Sequence, residues 1–290
     1  MGNFFLPMKT TIRAATAVLF VMLGALPTTS AVDAPVSVPE EIRTCEIVPS
    51  IVDDAFASII ADEPTGFIQR VSFEMNLLSS FIDPDVGVPI YSKPVIQSTV
   101  WIDLPAGWYV GFFVGSGFDS SYPDDDFSDE IDWALGRDWE LPFGMALDTS
   151  VMWCDSQDFF SSRNDVLWAR ARLTIAEIKA SDVTIRPYAY ITGLWTFGSS
   201  EFEGGVVSGV GFEGELALHD DILRLVYDFM IAYDDGTYGF QPGILTRAFV
   251  DVEYDITSHL TLRAGGTVWC PLGKEQPTET FGSVGFVVTF

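Results

Sequence analysis

Positive charge is scarce in this 290-residue chain. Only 15 Lys and Arg stand against 41 Asp and Glu, a formal net charge of −26. That balance excludes a nucleic-acid partner, because phosphate contacts need clustered Lys and Arg. Histidine is scarcer still, at two residues, and both His219 and His259 fall at short turns. No Gly-x-Ser-x-Gly or His-Glu-x-x-His motif occurs. No catalytic residue is therefore assigned, and the chain is not read as an enzyme. The three cysteines, Cys45, Cys154 and Cys270, lie far apart without metal-type spacing. They leave the disulfide state open and imply neither a metal nor a cofactor. Beyond its N-terminus the chain also lacks the run of ~18 to 20 apolar residues that makes a membrane-spanning helix.

Apolar residues are nevertheless abundant. Hydrophobic side chains make up 48% of the chain and aromatics 14%, with a mean hydropathy of +0.26. An acidic disordered chain would not carry that content. At the N-terminus Lys9 and Arg13 precede an apolar run from Ala14 to Leu26, and Thr29-Ser30-Ala31 supplies small residues for cleavage. This is the pattern of a secretory signal peptide over residues 1–31. Its removal takes away two basic residues and no acid, leaving 13 basic against 41 acidic residues, a net of −28.

From Thr65 onward the apolar residues recur with period two, the strand period. Twelve strands are predicted, at 66–79, 93–104, 107–118, 129–137, 142–154, 164–177, 183–196, 205–218, 221–233, 244–255, 259–270 and 279–290. Each reaches the roughly 9 to 11 residues that a tilted strand needs to cross a bilayer. One face of each is apolar, as in Trp108, Val110, Phe112 and Val114, or Val284, Phe286, Val288 and Phe290. Short connections, such as Pro105-Ala106 and His219-Asp220, alternate with long polar ones at 80–92, 119–128, 155–163, 197–204, 234–243 and 271–278. An outer-membrane barrel does this, with tight periplasmic turns and longer extracellular loops. A β-sandwich has no reason to. The predicted fold is therefore an all-β, antiparallel transmembrane barrel of the outer-membrane type over residues 65–290. Pro187 sits awkwardly in it, since a strand proline forfeits a ladder hydrogen bond and normally marks a bulge.

Assigning the apolar face to lipid assigns the other face to the lumen. On that inward face fall seven of the ten arginines that follow the signal: Arg70, Arg170, Arg172, Arg186, Arg224, Arg247 and Arg263. The inward acids include Glu74, Glu130, Asp132, Asp148, Glu213, Glu215, Asp228, Asp251 and Glu253. These sixteen residues are the candidate pore lining. Arg170, Arg172 and Arg186 are expected side by side, facing acids across the barrel. Such a wall either selects a permeating solute by its field or fills a narrow barrel with salt bridges. Twelve strands enclose less than the 16 to 18 of a general porin. The loop acids, including Asp124-Asp125-Asp126, read as a solvated charge run without calcium-loop spacing. Residues 32–64, broken by prolines, read as a periplasmic tail or a plug segment.

Residues 94–132 resemble the TorF-type family of outer-membrane porins. The motifs are Pro94-Val95-Ile96-Gln97, Gly107-Trp108-Tyr109-Val110-Gly111 and Glu130-Ile131-Asp132, in the family's order and with its Pro-to-Gly spacing. The first strand departs from the family, with Phe73-Glu74-Met75-Asn76-Leu77 in place of Arg-Gly-x-Ser. The resemblance implies a small outer-membrane porin without naming a solute. The expected function is a narrow channel for passive diffusion of small polar or charged solutes. The alternative is a closed structural or adhesive barrel whose acidic loops bind lipopolysaccharide, divalent ions or a partner. Expected partners are outer-membrane lipid and lipopolysaccharide, the barrel-assembly machinery through the terminal Phe290, and a small polar solute.

Overall fold

The computed structural model describes residues 67–83, 85–118, 130–156, 165–197, 203–219, 222–273 and 275–290. The signal segment, residues 32–64, Cys45 and the Asp124–Asp126 run lie outside them. Fifteen strands occur among the described residues: β1 (Arg70–Leu78), β2 (Phe81–Ile82), β3 (Pro89–Tyr91), β4 (Val95–Asp103), β5 (Trp108–Gly117), β6 (Glu130–Glu140), β7 (Ala146–Ser156), β8 (Asp165–Thr174), β9 (Ile178–Ala180), β10 (Val183–Phe197), β11 (Gly205–His219), β12 (Leu223–Asp234), β13 (Gly243–Asp255), β14 (Leu260–Leu272) and β15 (Glu279–Thr289). Twelve of these are long and pair antiparallel with their chain neighbours, and β15 returns to β1 with Phe73 opposite Val288. The sheet is a closed barrel. Closure removes the edges, so strand backbone groups are paired by neighbouring strands while crossing lipid.

Alternation decides which side chains meet lipid. On β5, Trp108, Phe112 and Val114 are exposed while Tyr109 and Phe113 are buried. On β12, Phe229, Ile231 and Tyr233 are exposed while Asp228, Met230 and Asp234 are buried. Exposed apolar side chains in such number on a sheet's outer face make sense only against hydrocarbon. Near the turn end, the Arg137 guanidinium lies 3.7 Å from the Trp139 ring and 5.4 Å from the Trp108 ring, and its Nε donates to the Ala106 carbonyl. An outward arginine is tolerable there because it sits at the rim.

Two of the short turns share a sequence device. Leu104-Pro105-Ala106-Gly107 and Leu141-Pro142-Phe143-Gly144 both run proline, a left-handed residue (Ala106 and Phe143 at φ 62°), then a left-handed glycine. Proline fixes the entry φ. At Gly107 a Cβ would also fall 2.3 Å from the Asp138 carbonyl oxygen, so glycine is required twice over. The fifth strand consequently begins at Ala146, four residues later than expected, because 142–145 are spent on the turn.

Pro187 lies inside β10 without breaking it. The register runs Arg186 to Glu213, Pro187 to Phe212 and Tyr188 to Gly211 along β11. On the other side Tyr188 pairs with Thr174 of β8, but Ile185 pairs with Ile178 of β9. Four residue steps on one strand thus oppose three on the other, which is a bulge. The proline sits opposite it, where the ladder is already interrupted.

If the outer face is the lipid face, charge in its middle should be costly. Val210, outward near the middle of β11 and paired with Ala189 and Ile231, is a clean position. Val210→Arg is expected to lower folding stability in bilayers by about 2–4 kcal/mol, measured by denaturant-induced unfolding from lipid vesicles.

Candidate functional site

The inner face of the barrel is divided along its axis. The half toward the short turns is ionic. Here Arg263 Nε donates to Asn76 Oδ1 (2.8 Å), and its other end pairs with Glu74. Around the wall, Arg172 pairs with Glu213 at 2.6 Å and stacks 3.9 Å over the Tyr188 ring. The Tyr188 hydroxyl donates to Asp228, which also accepts from Arg247 at 2.8 Å. Tyr109 donates to Asp148 at 2.7 Å. Nearer the rim, Arg70 bonds Asp103 and Arg224 bonds Asp255. Glycines on the inner face let the aromatic rings lie flat against the wall. A Cβ on Gly211 would meet the Tyr188 ring at 2.6 Å, and one on Gly136 would meet Tyr109 at 2.2 Å.

All sixteen candidate lining residues take the inward positions of their strands. Twelve of them are buried, and Arg70, Arg186, Glu215 and Arg247 are half-buried. The expected arginine patch, however, is not one patch. Arg170 faces Asp85 at 3.6 Å, Arg172 goes to Glu213, and Arg186 bonds Glu177 at 2.9 Å. The register explains the separation. Arg172 stands beside Tyr190 and Arg170 beside Thr192, which puts Arg186 two inward positions beyond Tyr190, at the bulge.

The half toward the long connections holds most of the apolar inner side chains, beside the buried acids Glu130, Asp132, Asp155, Asp165 and Asp234, and the connection between β1 and β4 covers it. Residues 80–92 are expected as a polar extracellular loop. Instead the β2–β3 hairpin turns into the barrel, burying Phe81, Ile82, Val86, Val88 and Tyr91. They join Val95, Phe113, Met152, Trp168, Leu194, Val207, Met230, Leu245 and Trp269 in one apolar cluster. Phe81 stacks at 6.3 Å from Phe113. Five fully or nearly fully buried apolar side chains, at roughly 1.5–3 kcal/mol each, are reason enough for the segment to leave water. The signal was legible in hindsight: Phe81-Ile82, Val86, Val88 and Ile90-Tyr91 are too apolar for a solvated loop.

Polar contacts lock the hairpin in place. Asp83 Oδ1 accepts from the amides of Asp85 and Val86 and caps the turn, and its Oδ2 accepts from Tyr238 at 3.1 Å. Burial, with the neighbouring Asp85 charge adding, pushes the Asp83 carboxyl up to about 6. The Gln276 amide donates to the carbonyls of Val86 and Gly87. Gly87 itself has φ +67°, and a Cβ there would fall 2.8 Å from the Trp269 ring.

A separate group gathers on the inner wall beside the hairpin. Glu130, Asp132 and Cys154 are all buried, and their ligand atoms lie within 4.8 Å of one another. Cys154 and Cys270 are not joined in a disulfide.

No family model matches the chain. No curated protein matches it either. Among solved structures, a KdgM porin is similar at 8% identity and a TM-score of 0.48, over 76% of this chain and 99% of that one. A NanC porin is similar at 8% identity and 0.48, over 75% and 98%. The COG4313 outer-membrane channel from Pseudomonas putida F1 is similar at 12% identity and 0.47, over 79% and 100%. At such identities the chemistry has to come from this chain's own residues.

The seat of the hairpin is testable at Gly87. Gly87→Val should unseat it through both backbone strain and collision with Trp269. The expected outcome is new protease cleavage between residues 81 and 91, with the barrel still heat-modifiable on gels.

Proposed function

We propose that this barrel is a narrow porin-like channel of the outer membrane for small polar or charged solutes, closed at its long-loop end by the β2–β3 hairpin. The observation that carries the reading is the division of the lumen. A barrel built only to be filled needs no more than a packed interior. Here the turn-side half carries buried polar atoms with no hydrogen-bond partner among the described residues, among them Asp148 Oδ1, Glu213 Oε1, Asp251 Oδ1 and both Glu253 carboxylate oxygens. Buried polar atoms of this kind require water. A charged vestibule on the turn side ends at an apolar plug that is packed by its own side chains and tied by the Arg170–Asp85 ion pair and a few hydrogen bonds.

The resemblance of residues 94–132 to TorF-type porins supports the same reading. Its polar positions, Gln97, Tyr109, Glu130 and Asp132, all take the inward face. The signal-peptide pattern supports export to the outer membrane. Paired acids and arginines on the wall leave no uniform sign, so the field selects by local geometry rather than by net charge.

The second reading, a closed structural barrel, is favoured by the plug itself. Planar-bilayer recording of the purified protein separates the two. The channel reading expects small, infrequent openings for the intact chain, and larger steady conductance when residues 82–90 are replaced by a short Gly-Ser link. If the shortened barrel folds and neither form conducts, the closed-barrel reading takes its place.

A further inference from the structure

Two of the candidate lining residues, Glu130 and Asp132, also gather with Cys154 in a group that the division of the lumen does not depend on. The β6–β7 register places Asp132 directly opposite Cys154, and Glu130 lies two residues along on the same face. Opposed residues of an antiparallel pair have their Cβ atoms ~4.5–5.5 Å apart. Two carboxyls and a thiol are therefore held together by the ladder rather than by chance rotamers. Asp132 is 1% exposed, and both its carboxylate oxygens are buried with no hydrogen-bond partner outside the Glu130 and Cys154 group among the described residues. Asp83 of the hairpin interacts electrostatically with both Glu130 and Cys154, so three acidic side chains and a thiol share one buried neighbourhood.

A buried carboxylate without a counter-ion is costly. The donor set says which cation would relieve it. Magnesium and calcium take oxygen ligands only. A thiolate with carboxylates suits a borderline, thiophilic divalent ion, with metal–sulfur bonds of about 2.3 Å and metal–oxygen bonds of about 2.0–2.2 Å. We propose that Glu130, Asp132 and Cys154 bind one divalent cation of the zinc class on the inner wall beside the hairpin. On binding, the Cys154 S–H bond and any carboxyl O–H bond shared by Glu130 and Asp132 break, metal–sulfur and metal–oxygen bonds form, and the protons leave to solvent. Two carboxylates and one thiolate against a dication leave the site one negative charge. Water completes a four-coordinate shell. The site is independent of whether the barrel conducts.

The test uses the full chain, folded in detergent in the presence of zinc or cobalt and freed of loose ions on a chelating column. Heat-modifiable migration verifies folding of every sample. The expected result is one zinc per folded chain. With cobalt, a thiolate-to-metal charge-transfer band is expected in the near ultraviolet. Cys154→Ser should abolish the band, and Cys270→Ser should keep it. Asp132→Asn and Glu130→Gln, which keep side-chain shape, should each weaken zinc binding more than about tenfold, since even second-shell losses cost about 10–100-fold. They also decide the matter if the Cys154 variant does not fold. A folded wild-type chain that holds no zinc and shows no cobalt band overturns the proposal, with the carboxyls then sharing a proton. Zinc retained equally by all variants overturns it too, and places the ion on surface acids.

Discussion

A strand that crosses hydrocarbon can send its charged side chains in only one direction. Because side chains alternate, that single restriction sorts the whole sequence into an apolar outer face and an inner face that holds nearly every charge. Twelve strands then close around a space too narrow to leave those charges far apart. The arginines find acids across or along the wall, as Arg172 does Glu213 and Arg247 does Asp228. The rings of Tyr109 and Tyr188 lie flat over inner glycines, so that polar groups reach past them. Lipid outside thus dictates an ionic network inside.

The same restriction explains the hairpin. Toward the long connections the inner face itself turns largely apolar, with Phe113, Met152, Trp168, Leu194, Leu245 and Trp269 pointing inward. Water against that surface would be unfavourable, and the chain supplies its own cover from residues 81–91. The cover is tied by side chains from three other regions: Arg170 on β8, Tyr238 in the β12–β13 connection and Gln276 in the β14–β15 connection. A plug packed by apolar area but located by a few polar ties can leave without dismantling the wall.

Much of this was legible in the sequence. Period-two apolarity and alternating connection lengths gave strand number, barrel closure and the inward set from Arg70 to Arg263, because both follow from local pattern. Pro187, awkward in a closed barrel by sequence alone, is accommodated opposite a bulge on the β8–β9 side. What local pattern could not carry was anything dependent on register or on a loop's path. The arginines at 170, 172 and 186 look adjacent by strand order, yet register gives each a different partner. Residues 80–92 count by length among the long polar connections, against their own apolar content. The Glu130, Asp132 and Cys154 group is invisible to spacing rules, since Asp132 and Cys154 meet only across a strand pair.

The central claim is that the lumen is wet on the turn side and sealed on the loop side. Single cysteines in an otherwise cysteine-free chain, reconstituted in vesicles of known orientation, test it most directly. Glu215→Cys stands at a half-buried position on the inner face of the ionic half, and Val207→Cys stands within the apolar cluster. A small charged thiol reagent applied from the turn side is predicted to modify position 215 readily. Position 207 should stay protected from both sides until the hairpin is removed. Protection at both positions, or equal reactivity at both, would contradict the divided lumen.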